Sequence, residues 1–363
     1  MISKLKTENY KLDEFLNAHA RYTNIKAKEE KDLKDFREEL EGCQGKKSLI
    51  LGNGFGISYD VAAGTDSFCW NSLADLCDFD NDNPLLKLLE ECNFDFEIVH
   101  QKINNALSVI EKYKGENEFS KKLLGEIQIL RDQLISAVAE SHPPSLNRDC
   151  TQKERQEISR MVGNCRKFLT QFGKVFSLNY DLLLYWVRCF DNDFLGNDCF
   201  DKDGDDLVFS ADEDAEFLFP HGASFITRDG ISAKKTRSSK QYPILARVKE
   251  NIENGIFPMC VSEGTGDQKL AAIKSNEYLS FSYRKIKESE GTVFTFGASF
   301  LEGKDDHIIR ALIQSPATRI VVGDYKPSEA NKHRLLHEFT RVMDNLNKKK
   351  EVIVADTSST EVW

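Results

Sequence analysis

The chain has 363 residues, 40% of them hydrophobic and 30% charged, enough apolar material for one large α/β domain with insertions or two modest domains. Forty-nine basic against 59 acidic residues leave a formal charge of −10, which repels a polyphosphate scaffold and argues against nucleic acid as the partner. No apolar run reaches the roughly 20 residues of a membrane span, and Met1 to Tyr22 lacks the apolar core of a signal peptide. The nine cysteines include no Cys-x-x-Cys pair, so structural zinc and a disulfide framework are set aside, and reduced cysteines in the cytoplasm are the expectation.

Residues 1–45 read as an N-terminal helical arm. Charges alternate in sign from Lys26 to Glu41, while Leu33, Phe36 and Leu40 recur at spacings of three and four. Ser48 to Leu51 is a short apolar run that ends at Gly52-Asn53-Gly54-Phe55-Gly56, a buried strand entering a glycine-rich turn. Residues 84–171 keep helical spacing through Leu85, Leu89, Ile98, Ile103, Leu107 and Ile110, and again from Leu123 to Val138, with a break at Pro143-Pro144. An all-helical insertion is predicted there.

Strand–helix alternation then resumes. Strands are predicted at Lys174–Leu178, Phe217–Phe219, Ile256–Val261, Thr292–Phe296, Arg319–Val322 and Glu351–Ala355. Helices are predicted from Asp181, from Asp267, from Asp306 and between Glu329 and Asn347, with an acidic loop at Asp191–Asp206 and a basic, mobile loop at Arg228–Lys240. These repeated units predict a Rossmann-like, doubly wound parallel sheet built from residues 46–83 and 172–363, interrupted by the helical insertion.

In such a sheet ligands bind beyond the carboxyl ends of the strands, and four strand ends carry candidate chemistry. At Gly52, Asn53, Gly54, Phe55 and Ser58, glycines let a backbone approach a phosphate beside a helix N-terminus; a tight strand-to-helix turn is the alternative. Ile57 stands where a full G-x-G-x-x-G fingerprint needs its third glycine. Asn179 ends an apolar strand, where a buried carboxamide needs partners, and Asp181 either binds ligand or caps the next helix. His221 is a structural hydrogen-bonder or, at an ordinary pKa near 6.5, a proton acceptor. Gly297 and Ser299 suit a ribose or phosphate; Asp306 reads as an N-cap, and His307 is a rival histidine ranked below His221.

Glycine-rich turn, Asn-x-Asp, His-Gly and Gly-x-Ser, in that order, resemble the sirtuin superfamily, and in particular the sirtuin-like NAD+-consuming effectors of bacterial antiphage defence. The likeness covers residues 46–66 and about 172–323. It departs from the deacylases in lacking two Cys-x-x-Cys pairs, and in running Tyr59-Asp60-Val61-Ala62-Ala63-Gly64 where they carry Gly-Ile-Pro-x-Phe-Arg. The resemblance implies a zinc-free NAD+ hydrolase (NADase) acting in abortive infection, with NAD+ as substrate and no metal. It implies Asn179 and His221 as catalytic residues. It implies Gly52, Asn53, Gly54, Phe55, Ser58, Asp181, Gly297 and Ser299 as contacts to the dinucleotide. Because unchecked NAD+ loss would poison the host, it also implies gating by homo-oligomer assembly or by a separate sensor protein. The alternatives are a non-catalytic NAD or ADP-ribose-binding module and a zinc-free deacylase or ADP-ribosyltransferase. A Rossmann oxidoreductase, with Asp75 as ribose ligand, lacks its third glycine.

Overall fold

The computed structural model describes residues 33–68, 75–80, 82–92, 94, 96–115, 117–141, 151–190, 196–204, 206–237, 244–254, 256–261 and 264–363. Seven strands form the main sheet: β1 (Lys34–Asp35), β2 (Lys47–Leu51), β3 (Lys174–Ser177), β6 (Phe217–Leu218), β10 (Thr292–Phe296), β11 (Arg319–Asp324) and β12 (Glu351–Asp356). Their order is β1-β12-β11-β10-β2-β3-β6, and every pairing is parallel. Parallel strands bury both faces, so they need continuous apolar runs. Leu49, Ile50, Leu51, Val293 and Phe294 accordingly have no exposed surface. Chain order runs one way from β2 to β6 and the other way from β10 to β12, with β1 added at the edge beyond β12, which puts the reversal between β2 and β10. There Leu51 pairs with Phe296, so both strands end level and their glycine turns emerge side by side.

A second sheet, absent from the sequence reading, is antiparallel: β4 (Phe200–Asp203), β5 (Asp206–Phe209), β7 (Gly222–Asp229), β8 (Ser232–Lys235) and β9 (Pro258–Cys260), in the order β4-β5-β8-β7-β9. The strand expected at Ile256–Val261 is β9 and belongs here rather than to the parallel sheet. The acidic stretch expected as a loop contains β4, and the basic stretch contains the last two residues of β7, the turn and β8; residues 191–195, 205 and 238–240 lie outside the described ones. Asp201, Lys202 and Asp203 are exposed, so this strand is held by ladder hydrogen bonds while its composition imitates a loop. Asp198 fastens the sheet to the core, taking bonds from Arg188 at 2.7 Å and Lys235 at 2.6 Å.

Twelve helices are present among the described residues: α1 (Phe36–Gly42), α2 (Gly54–Ala63), α3 (Pro84–Glu91), α4 (Phe96–Lys114), α5 (Glu118–Ser141), α6 (Gln152–Leu169), α7 (Leu183–Cys189), α8 (Ile244–Glu253), α9 (Gly266–Lys274), α10 (Glu277–Lys287), α11 (Asp306–Gln314) and α12 (Glu329–Asn345). The expected arm lies outside the described residues up to 32. From Lys34 the chain is part of the sheet: β1 pairs with β12, and Phe36 packs edge-on to Phe294 at 5.5 Å and Phe296 at 5.8 Å. In the insertion, α3, α4 and α5 bury their own core around Leu85, Leu89, Phe96, Ile103, Leu107 and Leu134. Helix α6 instead joins the main core through Met161, Cys165 and Phe168, and starts on a Thr151–Glu154 capping box that contributes about 1 kcal/mol.

Candidate functional site

A cavity of about 810 Å³ opens at the chain reversal, beyond the carboxyl ends of β2, β3, β6 and β10. That volume lies within the roughly 300–1,000 Å³ of small-molecule sites. Gly52, Asn53, Gly54, Ser58, Asn179, Asp181, His221, Gly297 and Ser299 all line it, so four segments far apart in sequence converge on one space. Phe55 does not. Its ring is buried in the core and packs on Trp363 at 4.9 Å, because α2 turns Phe55 and Tyr59 inward and Ile57 and Val61 outward.

The glycine turn is explained first by backbone packing. A Cβ on Gly52 would lie 2.5 Å from the Gly297 carbonyl oxygen, and one on Gly54 would lie 2.5 Å from the Gly297 Cα. The Gly52 N–H donates to the Phe296 carbonyl, and the Gly54 N–H to the Gly297 carbonyl, both at 3.0 Å. These two amides are therefore committed inside the protein, and the expected phosphate cradle does not draw on them. The next amide of α2, Phe55 N–H, donates to the Gly52 carbonyl at 2.9 Å, and Asn53 turns its side chain away to donate to the Phe68 carbonyl at 3.1 Å, so what α2 offers an anion is chiefly its dipole.

Asn179 follows β3 as expected and is buried. Its Nδ2 donates to the Gly52 carbonyl at 3.0 Å, tying the end of β3 to the glycine turn and leaving Oδ1 as an acceptor. Asp181 accepts the Leu183 N–H at 2.7 Å at the start of α7, where Leu182 is the cap residue, and it also faces the cavity. Burial pushes its carboxyl up from 3.8 to about 6, against the Leu183 amide and Asn179, which favour the charged form. The folded state thus holds this proton more tightly than the unfolded chain does, and stability falls as pH rises from 3.8 to about 6. Two pH units amount to about 3 kcal/mol. Asp181→Asn keeps an acceptor for Leu183, and is expected to remove that slope and raise the melting temperature above pH 6, read by thermal unfolding across the window.

His221 sits where the chain leaves the parallel sheet for the antiparallel one. The Val261 N–H donates to its carbonyl at 2.8 Å, and Gly222 beyond it adopts φ +79°, with the site of a Cβ only 1.9 Å from the Met259 carbonyl oxygen. The imidazole is buried, and its Nε2 lies 2.8 Å from Nε2 of His307, the rings inclined by 19°. The two histidines weighed against each other in the sequence are therefore partners. Neither keeps its ordinary pKa. Burial, then His307 and Lys269, hold His221 well below 6.5, while burial, then Lys269 and Arg310, bring His307 down to about 3. Both rings are neutral at pH 7 and hold a lone pair.

The remaining expected contacts are placed less simply. Ser58 lines the cavity, but its hydroxyl donates to the Phe55 carbonyl at 2.7 Å and accepts the Trp363 indole N–H at 2.9 Å. Ser299 is exposed at the rim, and Arg334 holds its carbonyl at 2.9 Å. Asp306 does not cap α11. Asp305 is the cap residue, and Asp306 binds Arg341 at 2.6 Å. Sequence reasoning missed Lys269, 1% exposed on the cavity wall with its Nζ 3.5 Å from Asp305 Oδ1. The Thr265–Gln268 capping box, which sets the first turn of α9, was the available signal. It also missed the wall formed by Thr357 to Trp363, for which no periodic pattern exists. Among the described residues no group of three or more His, Cys, Asp or Glu has metal-site geometry, and no helix is long and apolar enough to cross a membrane.

A family model described as a domain of unknown function, DUF4917, matches residues 49–363, and the chain belongs to that family. No curated protein sequence matches the chain.

Proposed function

We propose that this chain hydrolyses NAD+ to nicotinamide and ADP-ribose. The observation that supports the reading is the convergence of Asn179 and His221 on one cavity at the reversal of a parallel sheet. Nicotinamide leaves a cationic ring as a neutral one, so the leaving group needs no acid; positive charge builds on the ribose, as in glycoside hydrolysis. The protein must clamp the dinucleotide, place a water and accept its proton. In this reading the N-terminus of α2 faces the diphosphate, and the close approach of Gly52, Gly54 and Gly297 leaves room beside it. Asn179 Oδ1 accepts from the attacking water or a ribose hydroxyl, and Asp181 binds the nicotinamide carboxamide. His221 is the general base, acting directly or through a ribose hydroxyl. Cleavage is held in check in the cytoplasm by assembly or by a sensor protein, as befits an effector of abortive infection against phage.

The test is release of nicotinamide and ADP-ribose from NAD+, first by the isolated chain and then in cells during phage challenge, where a gate would open. Intact NAD+ in both settings refutes the hydrolase reading and favours a nucleotide-binding module. Cleavage only when an acylated or nucleophilic partner is added points to deacylation or ADP-ribosyl transfer.

A further inference from the structure

We infer that His307 is the positioning partner of His221: across the Nε2–Nε2 contact it sets the tautomer of His221 and shares the proton that His221 takes up. The inference rests on reading His221 as the base, but the sharing is a property of the pair and can be read without NAD+.

Two imidazole nitrogens 2.8 Å apart can neither both carry hydrogen nor both present lone pairs, so one proton lies on the axis between them. Each ring keeps an outer nitrogen, Nδ1. The Leu178 backbone beside His221 and the Lys304 backbone beside His307 each favour a proton on their ring. His307 Nδ1 is buried and completes no hydrogen bond of good geometry. The neutral pair holds two protons, one on the axis and one on an outer nitrogen, so the other outer nitrogen is bare and can take up a proton.

Only His221 lines the cavity, so the competent tautomer is the one with its Nδ1 bare. When a water or ribose hydroxyl gives up its proton, the O–H bond breaks and an Nδ1–H bond forms on His221. The axial proton stays between the two Nε2 atoms, and one positive charge spreads over two rings instead of one. In a dry site a charge shared across the axis costs less than one confined to a single ring, although the pair still protonates well below the ordinary imidazole range. The charged neighbours carry both signs, with the cations acting more strongly. Lys269 from α9 and Arg310 of α11 oppose the charge. Asp305 lies 3.5 Å from Lys269, and Asp306 is held by Arg341 of α12. Asp181 faces the same cavity from the end of β3, and Tyr283 of α10 donates to the His307 carbonyl at 2.9 Å.

The experiment is a pH titration of the full chain labelled with 15N-histidine, following the ring nitrogens of its seven histidines, in the native chain, His307→Phe and His307→Gln. In the native chain the two rings are expected to titrate as one coupled unit. In His307→Phe, His221 is expected to titrate alone with a changed tautomer. Its kcat for nicotinamide release should fall about tenfold or more at nearly constant KM. His307→Gln, whose amide can still meet Nε2, should restore part of the rate and displace the acid limb of the pH profile; thermal unfolding confirms that both variants fold. Identical His221 titration in the native chain and His307→Phe overturns the inference, whether or not NAD+ is cleaved. Coupled titration without any NAD+ cleavage keeps the pair and removes the hydrolase reading alone.

Discussion

His221→Ala is expected to slow nicotinamide release from NAD+ by at least about a hundredfold, because a positioned acid–base group contributes 10²–10⁴ in rate. Folding should survive, since the backbone at this position is held by Val261 and not by the imidazole. Removal of the ring also leaves His307 Nε2 without its partner, so thermal stability should fall by about 1–3 kcal/mol while the native fold persists. Asn179→Ala is expected to act on both counts more evenly. Its carboxamide orients substrate in the proposed mechanism and also ties β3 to the Gly52 carbonyl. Loss of turnover in the two variants with retained unfolding cooperativity is the result that fits a shared site. Near-native release of nicotinamide by His221→Ala removes the base assignment outright.

The two histidines also set the acid side of stability. Their folded pKa values lie below the unfolded 6.5, His307 at about 3. The unfolded chain thus binds protons that the folded chain refuses, and stability present above pH 6.5 drains as pH falls below it. Asp181 works in the opposite sense between 3.8 and about 6, where falling pH favours the folded chain. The acid limb should therefore be steeper in Asp181→Asn than in the native protein.

The parallel core was legible because its strands obey a rule that sequence displays directly: buried on both faces, they read as largely apolar runs, with β2 and β10 running straight into glycine. Thr292–Phe296 has the bounds that the run predicts, and Lys174–Ser177 falls one residue short. The hairpin β4–β5 obeys a different rule. Beyond Phe200, β4 carries the charged and exposed Asp201, Lys202 and Asp203 and pairs through its backbone, so composition there describes a loop. Phe55 was misplaced although the signal was present. Phe55 and Tyr59 are four apart on a helix and must share a face, and the exposed pair Ile57 (43%) and Val61 (74%) marks the opposite one. The His221–His307 contact could not be read at all. It joins positions 86 residues apart, one after a strand and one in the first turn of α11, and each histidine taken alone looks like a competitor.

Gly297→Ala is expected to destabilise the protein by about 3 kcal/mol or more, with loss of any ligand bound at the reversal. Two costs add. The residue has φ +66°, a left-handed conformation that penalises alanine by about 1–2 kcal/mol. Its Cβ would also lie 2.4 Å from the Gly54 Cα and 2.8 Å from the Gly54 nitrogen, where the neighbour is backbone and cannot rotate away. Relief requires β2 and β10 to part at their carboxyl ends, against the bond from the Gly54 N–H to the Gly297 carbonyl, and overpacking of this kind costs about 1–3 kcal/mol. Gly64→Ala separates the two terms. Gly64 has nearly the same φ, +67°, but meets nothing within 4 Å, so only the conformational cost applies. Equal losses of melting temperature in the two variants would mean that the glycines at the reversal serve turn geometry alone. A distinctly larger loss at Gly297 means that contact between the two turns shapes the floor of the cavity, and that any ligand seated there depends on two strand ends held at backbone distance.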